Sequence, residues 1–516
     1  MQESRTAKSL KNAEVSFIYY ALNLLVGFWS RKVFYDYLGS EVLGLDTTAS
    51  TMLSFLNLAE LGVGSAIAYF LYQPMFDKDT LTINEIVALQ GWIYRRVAAV
   101  IMVAAAILMC FFPLIFKDIK LPMWYPYATF SVLLFDALLG YFINYRQCVL
   151  NADQKGYKVT RVTSGAALVF KIILILLLPV VSAPFLFYLG TNFLGAVFGC
   201  LWLNYILKKE YPWLHKAELS GKELLKKYPE VLKKTSQLFI HRIATFVVLR
   251  AAPLIMYAYS SLTSIAYYGN YTTIIGRAEQ ILGMVFGSTG AAVGNLIASH
   301  DNKHIMEVFW ELNDSRLFMS TAFIIAITLF TEPFISVWLS PNYLLGKNVL
   351  YIISLSSWLV LNRTTVDSFR MGYGIFQDVW APLAEGIINL FFSILLGYYF
   401  GIAGVLMGGV INNLIMVYCW RPYYLFKVGF HLPAMRCYFV PQIHRYLLAF
   451  GLFVVFVKLN DMLKPDHING FVNVFLYGLV ESSIVMPITY ITFYFTTIGT
   501  RRFQKRMITL VKNKFK

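Results

Sequence analysis

The sequence predicts an all-α, polytopic membrane protein of about fourteen transmembrane helices. Three observations predict it. Of 516 residues, 58% are hydrophobic and only 14% are charged, whereas soluble domains carry about 25% charged residues. The mean hydropathy is +0.60. Apolar stretches of about 20 residues, the length needed to cross a bilayer core, recur along the whole chain.

Taken in order, the expected spans are 13–37, 46–73, 97–115, 123–145, 162–180, 185–207, 236–259, 265–299, 317–336, 348–369, 379–398, 401–420, 443–463 and 470–498. The opening stretch "MQESRTAKSLKN" is polar and the first apolar run is long enough to span, so no cleavable signal peptide is expected. Loops 181–184, 260–264 and 399–400 are short and uncharged. With both termini inside, the inner loops and tails, with Arg445 at the inner end of the span 443–463, hold 32 of the 44 Lys and Arg. The outer loops and the outer end of the span 443–463 hold five: Lys117, Lys120, Lys347, Lys458 and Lys464. Such an asymmetry follows the positive-inside rule and predicts an even number of spans with both termini cytoplasmic. The inner loop 208–235 carries eight Lys, and the tail 501–516 carries seven basic residues. The net charge of +16 is thus mainly a topology signal with an attraction to membrane lipid. Basic residues scattered between spans do not make a nucleic-acid surface.

The chain also repeats itself across the basic loop. "GLDTT" (44–48) returns as "GNYTT" (269–273), "GSAIA" (64–68) as "GNLIA" (294–298), and "WLNYIL" (202–207) as "WRPYYL" (420–425). Arg146 and Arg370 hold matching ends of the fourth and tenth spans. The common order and offset predict two six-helix lobes in a parallel pseudo-twofold repeat, plus two C-terminal helices. The expected divisions are an N-terminal lobe (1–207), a basic cytoplasmic linker (208–235), a C-terminal lobe (236–426), and the last two helices with a basic tail (427–516).

Chemistry-bearing motifs are few. The five cysteines are scattered with no metal-ligand spacing. No phosphate-binding loop, G-x-S-x-G or H-E-x-x-H occurs, so no catalytic residue, cofactor or metal is expected. What stands out is charge inside the membrane. The intramembrane bases are Arg31, Lys32, Lys171, Arg242, Arg250, Arg277 and Arg363, and the acids are Glu60, Asp136, Glu279, Asp367, Glu385 and Glu481. Seven lipid-facing bases left alone would cost roughly 20 kcal/mol, more than a typical domain's stability. They must snorkel, pair, or line a wet cavity. Arg250 sits mid-span in "FVVLRAAPLIM" with no acid in its own helix, and Arg242 lies two turns before it. Arg277 and Glu279 are two residues apart and point to different faces. In "LNRTTVDSFRMGYG" (361–374), Arg363, Asp367 and Arg370 form a stripe. Arg363 and Asp367 can pair one turn apart, and Arg370 reads as a boundary charge. Glu60 stands among small residues and can pair with a base or hold a coupling ion. An arginine-rich cavity favours a phosphate-bearing ligand, because guanidinium grips phosphate with two hydrogen bonds.

The stretch "SRKVFYDYLGSEVLGLDTT" (30–48) resembles the opening of the lipid-linked oligosaccharide (O-antigen and polysaccharide) flippases, with a basic residue late in helix one and then an LG-x-E-x-x-G turn. Arg31, Leu38, Gly39, Glu41 and Gly44 match. "LAELGVGSAIAYFL" (58–71) resembles their second helix, with Glu60 where Asp is commoner, and "YRQCVLNADQKGY" (145–157) resembles the turn after helix four. That family belongs to the multidrug/oligosaccharidyl-lipid/polysaccharide exporter superfamily. The resemblance implies two lobes around a cationic cavity and alternating access. It implies a multi-pass protein of the bacterial cytoplasmic (inner) membrane that flips undecaprenyl-diphosphate-linked oligosaccharide for O-antigen (lipopolysaccharide) or capsule assembly. Arg31, Glu60, Arg250 and Arg277 take the family's charged positions. Arg363 and Asp367 match no family motif.

The expected function is therefore a flippase, not an enzyme. Arg31, Arg242, Arg250, Arg277 and Arg363 are the expected substrate contacts. Glu60, Asp367 and Glu279 are the candidates for ion coupling or charge pairing, with H+ or Na+ as the ion. Membrane lipids, a polysaccharide polymerase and chain-length proteins are the expected partners. A multidrug cation/ion antiporter of the same superfamily is the alternative, since six intramembrane acids stand against seven bases. A membrane polymerase or glycosyltransferase fits less well. The longest outer loop, "EPFISVWLSPNYLLGK", holds one acid and one base.

Overall fold

The computed structural model describes residues 5–57, 63–153, 155–215, 217–231, 235, 252–287, 293, 296–297, 301–375, 377–378, 380–463 and 468–514. Among them all regular structure is helical. The helices are α1 (Arg5–Leu56), α2 (Val63–Asp77), α3 (Thr80–Cys110), α4 (Phe112–Ile115), α5 (Trp124–Phe142), α6 (Gln147–Ala152), α7 (Gly156–Leu177), α8 (Pro184–Glu210), α9 (Gly221–Lys227), α10 (Ala252–Tyr259), α11 (Leu262–Gly287), α12 (Asn302–Trp338), α13 (Lys347–Asn362), α14 (Thr364–Gly372), α15 (Trp380–Asn412), α16 (Val440–Leu463), α17 (Phe471–Thr496) and α18 (Ile498–Lys514). Among the described residues, eight helices are long and apolar enough to cross a membrane. The count is nine when α5 and the segment after it, bent by 54°, are taken as one span.

Two of the longest helices each run from one expected span into the next. α1 breaks at Gly39 (φ 81) and α15 at Gly401 (φ 57), both in the left-handed region that a side chain resists. Gly39 falls between the expected spans 13–37 and 46–73, and Gly401 opens the expected span 401–420. The fold is that of a polytopic all-α protein. It forms two compact units, Met1–Tyr257 with Ser261–Ala266, and Ala258–Ser260 with Tyr267–Lys516.

In the first unit, Ile67, Leu71, Ile83, Leu89, Val149 and Leu150 form a buried core. The basic loop after α8 folds back onto it. Ser220 and Glu223 cap α9 with a reciprocal capping box, and Leu224 is fully buried. Lys227 Nζ donates to both Glu85 carboxylate oxygens on α3 at 2.8 and 2.7 Å, and Tyr228 Oη donates to the same group at 2.5 Å. Glu210 at the end of α8 pairs with Lys158 and, at 3.2 Å, with Lys155. Burial alone pulls the Lys155 ammonium down, but the Asp153 and Glu210 carboxylates outweigh it and leave its pKa raised. Part of the expected linker is thus a docked element rather than a loose tether.

In the second unit, α12 is the central post. It runs 37 residues and packs on α13, α16, α17 and α18. Around its first turns, Phe309, Phe369, Leu425, Phe426 and Tyr438 make a ring-rich core. Past Asn412 the chain winds wider, as π-helix over Asn413–Trp420 and Leu425–Gly429 with one α-helical turn between. Such wide turns re-aim side chains and often mark functional positions.

The two arms of α15 touch at backbone distance. Ser393 Oγ donates to the Val405 carbonyl at 2.9 Å, and a Cβ on Gly408 would meet Ser393 Cα at 2.6 Å. A Cβ on Gly409 would meet its nearest atom, Asn389 Nδ2, at 3.6 Å. Gly408→Val should therefore lower stability by about 1–3 kcal/mol through overpacking. Gly409→Ala should leave it nearly unchanged. Thermal unfolding of the purified variants in one detergent reads the difference.

Candidate functional site

In the first unit the charged positions gather around α1. Arg31 lies one turn before Tyr35, whose ring centroid is 5.9 Å from the guanidinium carbon. Its Nη2 donates to the Ala266 carbonyl at 3.0 Å. Arg31 also interacts with Asp46, which accepts a hydrogen bond from Tyr188 Oη at 2.6 Å. On an unbroken helix, residues 15 apart would stand about 22 Å from one another. The break at Gly39 is what brings Arg31 and Asp46 within range. Lys171, on α7, donates to Asn23 Oδ1 at 3.3 Å. It lines a cavity of about 340 Å³ walled by α5, α7 and α8, together with Asp136, Asn144, Thr163, Asn192 and Cys200. Asp136 is exposed on that wall.

The second unit holds an ion-pair network. Arg421, in the α-helical turn between the two π-helical segments, donates Nη1 to Asp367 Oδ1 at 2.7 Å. Its Nη2 reaches Glu385 Oε1 at 2.8 Å and Oε2 at 3.1 Å, and its Nε reaches Oε1 at 3.2 Å. Arg363 Nε lies 3.6 Å from Asp367 Oδ2. Glu279 interacts with Ser357 and Arg363. The stripe read from 361–374 is thus one side of a cluster in which Arg363 and Arg421 face Asp367, Glu385 and Glu279. Arg370 belongs to a separate pair. Its Nη2 donates to both Asp378 carboxylate oxygens at 2.8 Å, and Trp420 Nε1 adds a bond to Asp378 at 3.0 Å. Read from sequence as a boundary charge, Arg370 is also a structural clamp. Arg277, on α11, is exposed, while Glu279 turns toward α13.

Glu60, Arg242 and Arg250 lie outside the described residues. Several charges set into the packing escaped the sequence reading, among them the half-buried Asp46 and Arg421 and the buried Arg316. Asp46 stands at the start of an expected span. Arg316 stood just before the span 317–336 but is 3% exposed inside α12. Its Nη2 donates to the Phe286 carbonyl at 2.8 Å, and its Nη1 reaches Thr365 Oγ1 at 3.2 Å. Arg421 stood just past the span 401–420. Each lies at or beside a window edge, where hydropathy cannot tell a loop charge from a buried one. Among the described residues no group of His, Cys, Asp and Glu could hold a metal ion.

Compared with known proteins, the chain matches no protein-family profile and no curated protein sequence. Its fold does match solved structures. It is similar to the lipid II flippase MurJ in an inward closed conformation, at 15% identity with a TM-score of 0.65, over 94% of this chain and 98% of that one. It is also similar to an inward-facing multidrug resistance MATE family transporter of the MOP superfamily, at 15% identity and a TM-score of 0.57, over 83% of this chain and 98% of that one. The architecture of about fourteen helices is the one these flippases and exporters use.

The Arg421 cluster makes a direct expectation. Arg421→Ala strands Asp367 and Glu385 and should cost about 3–5 kcal/mol. Neutralising the acids as well, with Asp367→Asn and Glu385→Gln, should recover most of that loss. Unfolding of the single and triple variants in the same detergent checks it.

Proposed function

We propose that the chain is a flippase. It moves undecaprenyl-diphosphate-linked oligosaccharide repeat units across the bacterial cytoplasmic membrane by alternating access, for O-antigen or capsule assembly. Coverage is the observation that carries this reading. The flippase fold accounts for 94% of the chain, the multidrug transporter fold for 83%. The excess of basic residues on one side supports both termini being cytoplasmic. In this reading the lobes are 1–207 and 236–426, joined by the basic segment 208–235, with 427–516 added after them.

The diphosphate would be gripped by Arg31, Arg242, Arg250 and Arg277, with Arg363 behind them. Guanidinium stays charged through any protonation cycle and fits phosphate oxygens in pairs. The polyprenyl tail would remain in lipid. No bond is made or broken. Glu60, Asp367 and Glu279 would carry the response to H+ or Na+. A polysaccharide polymerase and chain-length proteins would take the product on the far side. One observation favours a second reading, export of organic cations. The Asp136 carboxylate is exposed on the wall of a 340 Å³ cavity. Lys171 lines the same cavity and offsets that charge.

Removing the protein from its cell should make a complete lipid-linked repeat unit accumulate on the inner leaflet. Arg250→Ala and Arg277→Ala should reproduce the accumulation at unchanged protein level. Intact surface glycan with new sensitivity to cationic drugs would instead select the exporter reading.

A further inference from the structure

The helix that ends the described chain has two sides in different company. α18 carries six Lys and Arg and no acid. It follows α17, itself long and apolar enough to span, after Thr497 alone, which is extended (φ −125, ψ 139). The first turn of α18 therefore lies at the end of a span, at headgroup depth.

One side of α18 is docked on α12. Arg502 Nη2 donates to Glu307 Oε1 at 3.2 Å, and Arg506 Nε lies 3.3 Å from Glu311 Oε1. The Gly499 amide donates to Asp314 Oδ2 at 3.0 Å. The approach is so close that a Cβ on Gly499 would stand 2.6 Å from that oxygen. Arg445 holds the same carboxylate from α16, at 2.5 and 3.1 Å.

The other side is open. Ile498, Arg501, Lys505 and Ile508 fall within about 80° of one another on the helix, roughly 110° from the docked residues. Ile498 is 60% exposed and Ile508 47%, and Arg501 and Lys505 are exposed as well. Isoleucines flanking two cations suit neither bulk water nor hydrocarbon. They suit the boundary between them, where the apolar side chains enter the acyl region and the cations meet phosphate. Charge complementarity selects the lipid, since a strip with cations and no carboxylate is drawn to anionic headgroups.

We propose that the Ile498–Arg501–Lys505–Ile508 strip binds anionic phospholipid and holds α18 flat on the membrane while its other side clasps α12. The ion pairs to Glu307 and Glu311 fix which side faces the lipid. This inference does not depend on the identity of the cargo.

Hydrogen exchange of the full chain in nanodiscs of phosphatidylglycerol or of phosphatidylcholine tests it. Amides of 499–509 should exchange on the order of thirtyfold more slowly in phosphatidylglycerol, the combined effect of two surface cations. Arg501→Gln with Lys505→Gln should abolish that difference, while exchange in α12 stays the same in both lipids and reports that the fold is intact. Equal exchange of the unsubstituted chain in the two lipids, as expected if the strip instead awaits an acidic protein, would overturn the proposal. So would a lipid difference that survives the double substitution.

Discussion

A charge without a counter-charge cannot stay in hydrocarbon, and this constraint shapes much of the described structure. At about 2.5–3.5 kcal/mol for each exposed charge at a helix centre, a few orphans would outweigh the stability of the fold. The chain answers with geometry. Arg421 holds two carboxylates at once, Asp367 on α14 and Glu385 on α15. Arg370 clamps Asp378, and Arg445 clamps Asp314. Breaking any of these leaves a partly buried ion behind, so they are worth more as constraints than as sources of net stability. The backbone irregularities serve the same end. Gly39 lets Arg31 and Asp46 interact within one helix. The wide π-helical turns flank the residue that closes the Arg421 cluster.

Pairing also narrows what can act on a substrate. Arg363 and Arg421 are engaged with at least as many acids, so their cluster presents little net positive charge. Arg277 is exposed on α11, and Arg31 donates to the Ala266 carbonyl and interacts with Asp46. Both are among the residues proposed to grip the diphosphate. The same comparison bears on the exporter alternative, for which Asp136 in the first unit is the carboxylate to watch.

Much of the fold was legible in the sequence, because a bilayer imposes a length and a polarity that hydropathy reads directly. The break at Gly39 fell between two expected spans and the one at Gly401 on the first residue of a span, even though the helix runs on through both. The pairing of Arg363 with Asp367 followed from helical spacing. Asp367's other partner Arg421, 54 residues further on, did not, because no local period links α14 to the turn at Arg421–Tyr424. Arg316 was hidden for a similar reason. The residues just before it, Asn313, Asp314 and Ser315, are polar, as in a loop, and only the packing of α12 against the 286 and 364–365 regions buries it. The basic loop 208–235 read as bulk charge, but a capping box and a Lys227–Glu85 pair give part of it a fixed place.

The proposed function turns on whether the chain alone moves a lipid-linked diphosphate sugar between leaflets. Reconstitution answers this. Purified protein is placed in liposomes with an undecaprenyl-diphosphate oligosaccharide distributed over both leaflets, and an enzyme that trims the sugar is added outside. The flippase reading predicts that essentially all of the lipid is trimmed over time, and that an Arg277→Ala chain at equal density stalls near the outer leaflet's half. Trimming that stops at that half with the unsubstituted chain, while an organic cation is transported by the same vesicles, would contradict it.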